Sequence, residues 1–135
     1  PGSGKDLVAP VQHKTVATRA GLGWIGKSGL LITRQYGPRV RLASVFTTMP
    51  LPIAVPTESS ECGSCDCCAR ACPAGAIKGM SWRIGMPREA LVDVQACRRT
   101  AERLLWMRTG QRDSVCGICI AVCPFAGLRT DERTR

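Results

Sequence analysis

Apolar and polar positions follow one another in several distinct rhythms along this chain. Residues 15–20 have a short helical spacing that stops at Gly21, a residue suited to the left-handed turn after a helix. A glycine-rich turn follows, Gly21-Leu-Gly-Trp-Ile-Gly-Lys-Ser-Gly29. Two β-like runs come next, 30–33 and 40–47, and the Gln35-Tyr36-Gly37-Pro38 between them predicts a hairpin. Residues 49–56 hold prolines at 50, 52 and 56, each pushing its predecessor out of the helical region, so this stretch is expected to be an extended linker. From about 88 to 107 the helical period returns. Leu91, Val94, Ala101, Leu104 and Leu105 favour one face there, and Gly110 closes the element.

Two stretches obey neither rhythm, and both are rich in cysteine. The first reads Cys62-x2-Cys65-x2-Cys68-x3-Cys72-Pro73, the spacing of the bacterial ferredoxin run. Three cysteines two residues apart wrap a tight loop round three corners of an iron–sulfur cube, while the fourth is turned towards a second cube. The following proline ends the loop and stiffens the next turn. The second stretch, Cys116-x2-Cys119-x3-Cys123-Pro124, repeats the last three cysteines but has Asp113 where the first should stand. Cys97, in the expected helix, is the spare thiolate that completes the set. One 4Fe–4S cluster is therefore expected on Cys62, Cys65, Cys68 and Cys123, and another on Cys72, Cys97, Cys116 and Cys119. Asp113 is the weaker alternative to Cys97, because thiolate binds iron more strongly than carboxylate. Cys67 is left as a small spacer beside a ligand. A zinc ribbon would use only four of these ligands, leaving Cys68, Cys72, Cys123 and both Cys-Pro steps unexplained.

This assignment changes how composition is read. In 135 residues, nine cysteines are an odd number and lie too close together to be good disulfide partners for one another. With no export signal and no bilayer-length apolar run, a reducing cytoplasm and no membrane are expected. The formal charge is +9, and only four of the nineteen basic residues are lysine. Eight thiolates and two oxidised cluster cores would lower that charge to about +5. The remaining charge suits an acidic redox partner or nucleic acid, with Arg98, Arg99, Arg103, Arg108 and Arg112 as a candidate patch or simply a solvated face. The chain opens on Pro1-Gly2-Ser3-Gly4. That opening reads as a processed product, an expression scar or, preferred here, a piece of a longer protein.

The expected fold class is α+β. A small β-hairpin and glycine-loop platform at 1–56 precedes a helical, bacterial-ferredoxin-like double-cluster domain at 57–135. Residues 21–28 also fit two phosphate-loop patterns, G-x-G-x-x-G and G-x4-G-K-S. Both need a strand before the loop and a helix after it, and here the order is reversed, which argues against nucleotide binding. The glycines fit a tight turn under a cluster or the close approach of another ligand.

The stretch His13-Lys-Thr-Val-Ala-Thr-Arg-Ala-Gly-Leu-Gly-Trp-Ile-Gly-Lys27, with the run at 30–33 and the order cysteine run, lone cysteine, shortened run, resembles epoxyqueuosine reductases and related double-cluster proteins. The likeness covers about 9–125. It implies that the lone Cys97 is a cluster ligand, and that two clusters feed electrons to a cobalamin near Gly23, Trp24, Ile25, Gly26 and Lys27. It also implies reduction of an epoxide in a modified tRNA base, with a flavodoxin or ferredoxin as electron donor. The family has an upstream domain that helps enclose the cobalamin, and this chain lacks nearly all of it. The aspartate thought to be that family's proton donor would fall at Leu7, with Asp6 beside it, so no catalytic residue is assigned. A ferredoxin-like carrier with no substrate of its own is the alternative.

Overall fold

A computed structural model describes residues 11–127. Leu7 and Asp6 lie outside them. Helix α1 spans His13–Arg19 and is followed by a turn through Gly21, whose φ of +66° gives the expected glycine stop. Strand β1, Gly23–Ile25, pairs antiparallel with β2, Leu31–Thr33, in the register Gly23 to Thr33, Trp24 to Ile32 and Ile25 to Leu31. Each cysteine stretch contains one helical turn, α2 at Cys67–Arg70 and α4 at Ile118–Ala121, and the two turns pack together. Between them lies α3, Val94–Thr109. Short 3-10 turns stand at Arg88–Ala90 and Pro124–Gly127.

The hairpin is present, but its arms differ from those expected. The glycine-rich stretch itself supplies β1, and Lys27 and Ser28 lie in the turn that leads to β2. The run 40–47 forms no strand, although its period of two survives. Val40, Leu42 and Ser44 are half-buried while Arg41, Ala43 and Val45 are exposed. The turn after β2 closes through a Thr33–Gly37 bridge, and Pro38 then has no N–H with which to continue a ladder. The side-chain alternation was correctly read, but the pairing partner was not.

Helix α3 starts later than the apolar pattern indicated. The Asp93 carboxylate accepts from Ala96 N at 2.9 Å and caps the helix, and Gly110 (φ +68°) ends it. Leu91 precedes the helix and is buried, as is Ala101 within it; Leu104 and Leu105 are half-buried.

The core draws on both the glycine-loop segment and the cysteine-rich segment. Ala17, Ile25 and Leu31 pack with Ala76, Ile77, Trp82, Leu91 and Val92, and Val40 and Leu42 lean on the same cluster. The linker is extended, with Ile53 fully exposed. It is tied back by Thr57 N, which donates to Thr18 O at 2.9 Å.

Candidate metal centre

The hairpin has two faces with different tasks. Ile25 and Leu31, directly opposite each other, face the core. Trp24, Gly26 and Ile32 share the other face, because alternate residues of a strand point oppositely and cross-strand partners point together. Gly26 and Ile32 line a recess with Lys27, Ser28 and Phe125, and the recess is walled by Cys62, Cys65, Cys68, Cys119 and Cys123. The glycine loop is therefore a bed beneath the first group of cysteines. A Cβ on Gly26 would come within 2.9 Å of the Ile32 side chain and 3.5 Å of Cys62 Sγ, so the close approach requires glycine.

Mutual electrostatics sort the thiols into two groups. Burial pushes the Cys68 thiol up, as do Cys62, Cys123 and Cys65. Burial also raises Cys123, together with Cys62 and Cys65, against hydrogen bonds from the Phe125 and Ala126 amides. Cys97 is raised by burial, then by Cys72, Cys116 and the Asp93 carboxylate. Cys119 is pushed up to about 11, chiefly by burial and then by Cys97, Cys68, Cys116 and Cys72. Cys68 and Cys123 are thus influenced by thiols of the first expected set, and Cys97 and Cys119 by thiols of the second, Cys119 also by Cys68. Among the described residues, no three His, Cys, Asp or Glu side chains converge tightly enough to hold a single ion. Eight thiolates with ferredoxin spacing are by their chemistry a donor set that fits two cubanes.

The backbone explains how distant segments meet. Asp93 N donates to Ala76 O and Lys78 N to Leu91 O, both at 2.9 Å, which fixes the start of α3 beside the chain that leaves Cys72-Pro73. Cys97 lies one turn into α3, with its amide donating to Asp93 O. The Cys123 end is held by Gly37, whose backbone crosses Phe125 so closely that a Cβ would meet the Phe125 carbonyl oxygen at 2.3 Å.

Two residues left aside by the cysteine pattern are also placed. Cys67 faces Arg70, whose guanidinium donates to Cys67 Sγ at 3.9 Å. The Asp113 carboxylate turns onto its own chain and accepts from Ser114 N at 2.6 Å.

Gly23, Trp24, Ile25, Gly26 and Lys27 are all buried. Gly26 and Lys27 face the cysteine recess. Ile25 lines a separate open cavity of about 710 Å³ on the other side of the hairpin, with Val11, His13, Lys14, Gly29 and Arg88 among its walls. Lys14 Nζ donates to Gly29 O at 2.6 Å, and burial, aided by Arg88, lowers its basicity. A cavity of this size suits a drug-sized ligand.

Of the candidate basic patch, Arg98 pairs with Glu102 at 2.8 Å and Arg112 stacks on Trp106 at 5.5 Å. The residues that sequence reasoning missed are Arg34, Glu61 and Phe125. Arg34 binds Glu61, immediately before Cys62, and lies over the Trp24 ring at 5.7 Å; Phe125 meets that ring edge-on. Glu61 and Phe125 had one sequence signal, closeness to candidate ligands at Glu61-Cys62 and Cys123-Pro124-Phe125, and Arg34 had none.

Comparison with known proteins agrees with this geometry. Residues 61–126 match the model of the 4Fe-4S double cluster binding domain. An epoxyqueuosine reductase from Pseudomonas aeruginosa is 35% identical over 117 residues, covering 87% of this chain and 32% of the relative. The chain is epoxyqueuosine reductase-like. The tetrachloroethene reductive dehalogenase of Sulfurospirillum multivorans is 34% identical over 125 residues, covering 84% of this chain and 23% of that one. A crystal structure of epoxyqueuosine reductase with an epoxyqueuosine-modified tRNA stem loop superposes with a TM-score of 0.61 at 30% identity, covering 85% of this chain and 30% of that one. That match fixes the epoxyqueuosine reductase-like α+β fold. The chain spans about a third of the length of the Pseudomonas relative. Among the described residues, no helix is long and apolar enough to cross a membrane.

Proposed function

We propose that this chain is the electron-transfer part of an iron–sulfur oxidoreductase. One 4Fe–4S cluster would be held by Cys62, Cys65, Cys68 and Cys123, and the other by Cys72, Cys97, Cys116 and Cys119. The observation that supports the reading is the recess in which Cys62, Cys65 and Cys68 of the first cysteine run meet Cys119 and Cys123 of the second, in a chain whose residues 61–126 match the 4Fe-4S double cluster binding domain. Bound clusters supply one-electron transfer at low potential. The chain's own residues hold them adjacent, Cys68 of one set facing Cys119 of the other. Lys27, only 8% exposed and lining the first recess, sets a cation against the net negative charge of a thiolate-ligated cluster.

The destination we propose is a cobalamin bound beside the glycine loop at 23–27, as the resemblance implies. Support comes from the loop's position between the cysteine recess and the open cavity that Ile25 lines. With two-thirds of its relatives' length unmatched, the chain would contribute one wall of such a site. A flavodoxin or ferredoxin is the proposed donor, and a cytoplasmic setting is proposed because closely spaced cysteines suit metal binding in a reducing compartment. Modified tRNA is the proposed substrate class, because a relative was crystallised with a modified tRNA stem loop. The reductive dehalogenase relative widens the reading, since a similar sequence occurs in a protein named for a different reduction.

The test is to reconstitute the chain anaerobically, add cob(II)alamin, and record its spin-resonance and absorption spectra. The expected result is a perturbed cobalamin signal, reduced when Ile25 is changed to a charged residue. An unchanged signal from protein carrying about eight irons would favour the alternative, a ferredoxin-like carrier.

A further inference from the structure

Trp24 is 1% exposed, and its indole Nε1 is the one buried side-chain polar atom among the described residues that has no hydrogen-bond partner. A buried N–H left unpaired costs about 1–3 kcal/mol, so such groups ordinarily find an acceptor. The position of this ring narrows the choice of acceptor. Trp24 shares a hairpin face with Gly26 and Ile32, both of which line the Cys62, Cys65, Cys68 and Cys123 recess.

The ring is also tied to both ends of that cysteine set. It meets Phe125, two residues past Cys123, edge-on with centroids 5.1 Å apart and planes at 82°. On another side lies Arg34, whose guanidinium Nη1 donates at 2.9 Å to Glu61, next to Cys62. Trp24 is therefore clamped between the two segments that would ligate one cube. No backbone carbonyl, carboxylate or cysteine sulfur accepts from Nε1. A sulfide of a cluster seated in that recess is an acceptor of suitable chemistry for it.

We propose that the Trp24 indole N–H donates a hydrogen bond to a sulfide of the cluster held by Cys62, Cys65, Cys68 and Cys123, making Trp24 a tuning residue for that cluster and not for the other. The inference rests on the ligand assignment above. Reduction adds a negative charge to the cluster, and an N–H aimed at its sulfur stabilises the more negative state. The bond therefore raises the potential of this cluster.

The measurement is a redox titration of the two-cluster chain and of Trp24→Phe, with iron content determined on both. Trp106→Phe, an exposed indole on α3, is the control. With iron unchanged, Trp24→Phe should lower one of the two midpoints by up to a tenfold change in the reduction equilibrium, about 59 mV for one electron. The other midpoint should stay, and Trp106→Phe should move neither. If Trp24 only excluded water, its truncation would raise the midpoint, and that sign overturns the proposal, as would two unmoved midpoints. Should Trp24→Phe fail to fold, electron–nuclear double resonance on the unmutated reduced chain decides. A strongly coupled exchangeable proton assigned by indole labelling is expected, and its absence overturns the proposal. A folded chain with no iron would instead remove the ligand assignment.

Discussion

The two proposed cluster sites use the same chemistry and are held in opposite ways. The Cys62, Cys65, Cys68 and Cys123 set lies against a buried wall made by one hairpin face, with Lys27 and Phe125 at its rim. The Cys72, Cys97, Cys116 and Cys119 set depends on a helix: Cys97 is exposed, and its place is set by the capped start of α3. One site is positioned by packing on both sides of a sheet, and the other by a single helical turn anchored through Asp93. Burial and hydrogen bonding to sulfur are levers on cluster potential, so this asymmetry is a means of making two cubanes unequal with one kind of ligand.

The largest expected break in that comparison is Cys97→Ala. It should empty the helix-held site alone, taking iron from about eight to about four per chain by colorimetric assay. Retention of all eight would show that another group, such as Asp113, completes the second set. Gly37→Ala should do the reverse. Its φ of +56° costs an L-residue about 1–2 kcal/mol, and the new Cβ would press on the Phe125 carbonyl oxygen at 2.3 Å. Chelator challenge should then bleach the wall-held cluster faster while the other half of the absorbance decays at its usual rate. The smallest effect is Asp93→Ala, which removes the cap on α3 and should cost about 1 kcal/mol in denaturant unfolding. A chelator-sensitive second site should accompany it, and equal loosening of both clusters would contradict the division drawn here.

Much of the helical structure was legible because caps are local. Gly21 and Gly110 stop α1 and α3 where the sequence placed them, and Asp93 ahead of an apolar run is an N-terminal signal that the period alone ran past. The second β-run was misassigned as a pairing strand. Residues 40–44 do alternate, but the Thr33–Gly37 bridge closes the turn and Pro38 has no N–H with which to carry the ladder on. The same three residues, Gly23, Trp24 and Ile25, read on their own as a ligand loop and in three dimensions as the partition between a cysteine recess and the core.

Sulfur spacing is covalent information. Cysteines two and three residues apart can curl round a common centre, so the grouping into two runs and the need for Cys97 to complete eight ligands were readable along the chain as an expectation. Which run shares a cube with which, and what lies behind each cube, depends on contacts between residues scores of positions apart. Trp24 meeting Phe125 and Arg34 reaching Glu61 are such contacts. They form only when burial of the hairpin face repays bringing those segments together, and no pattern confined to neighbours in sequence carries that energy.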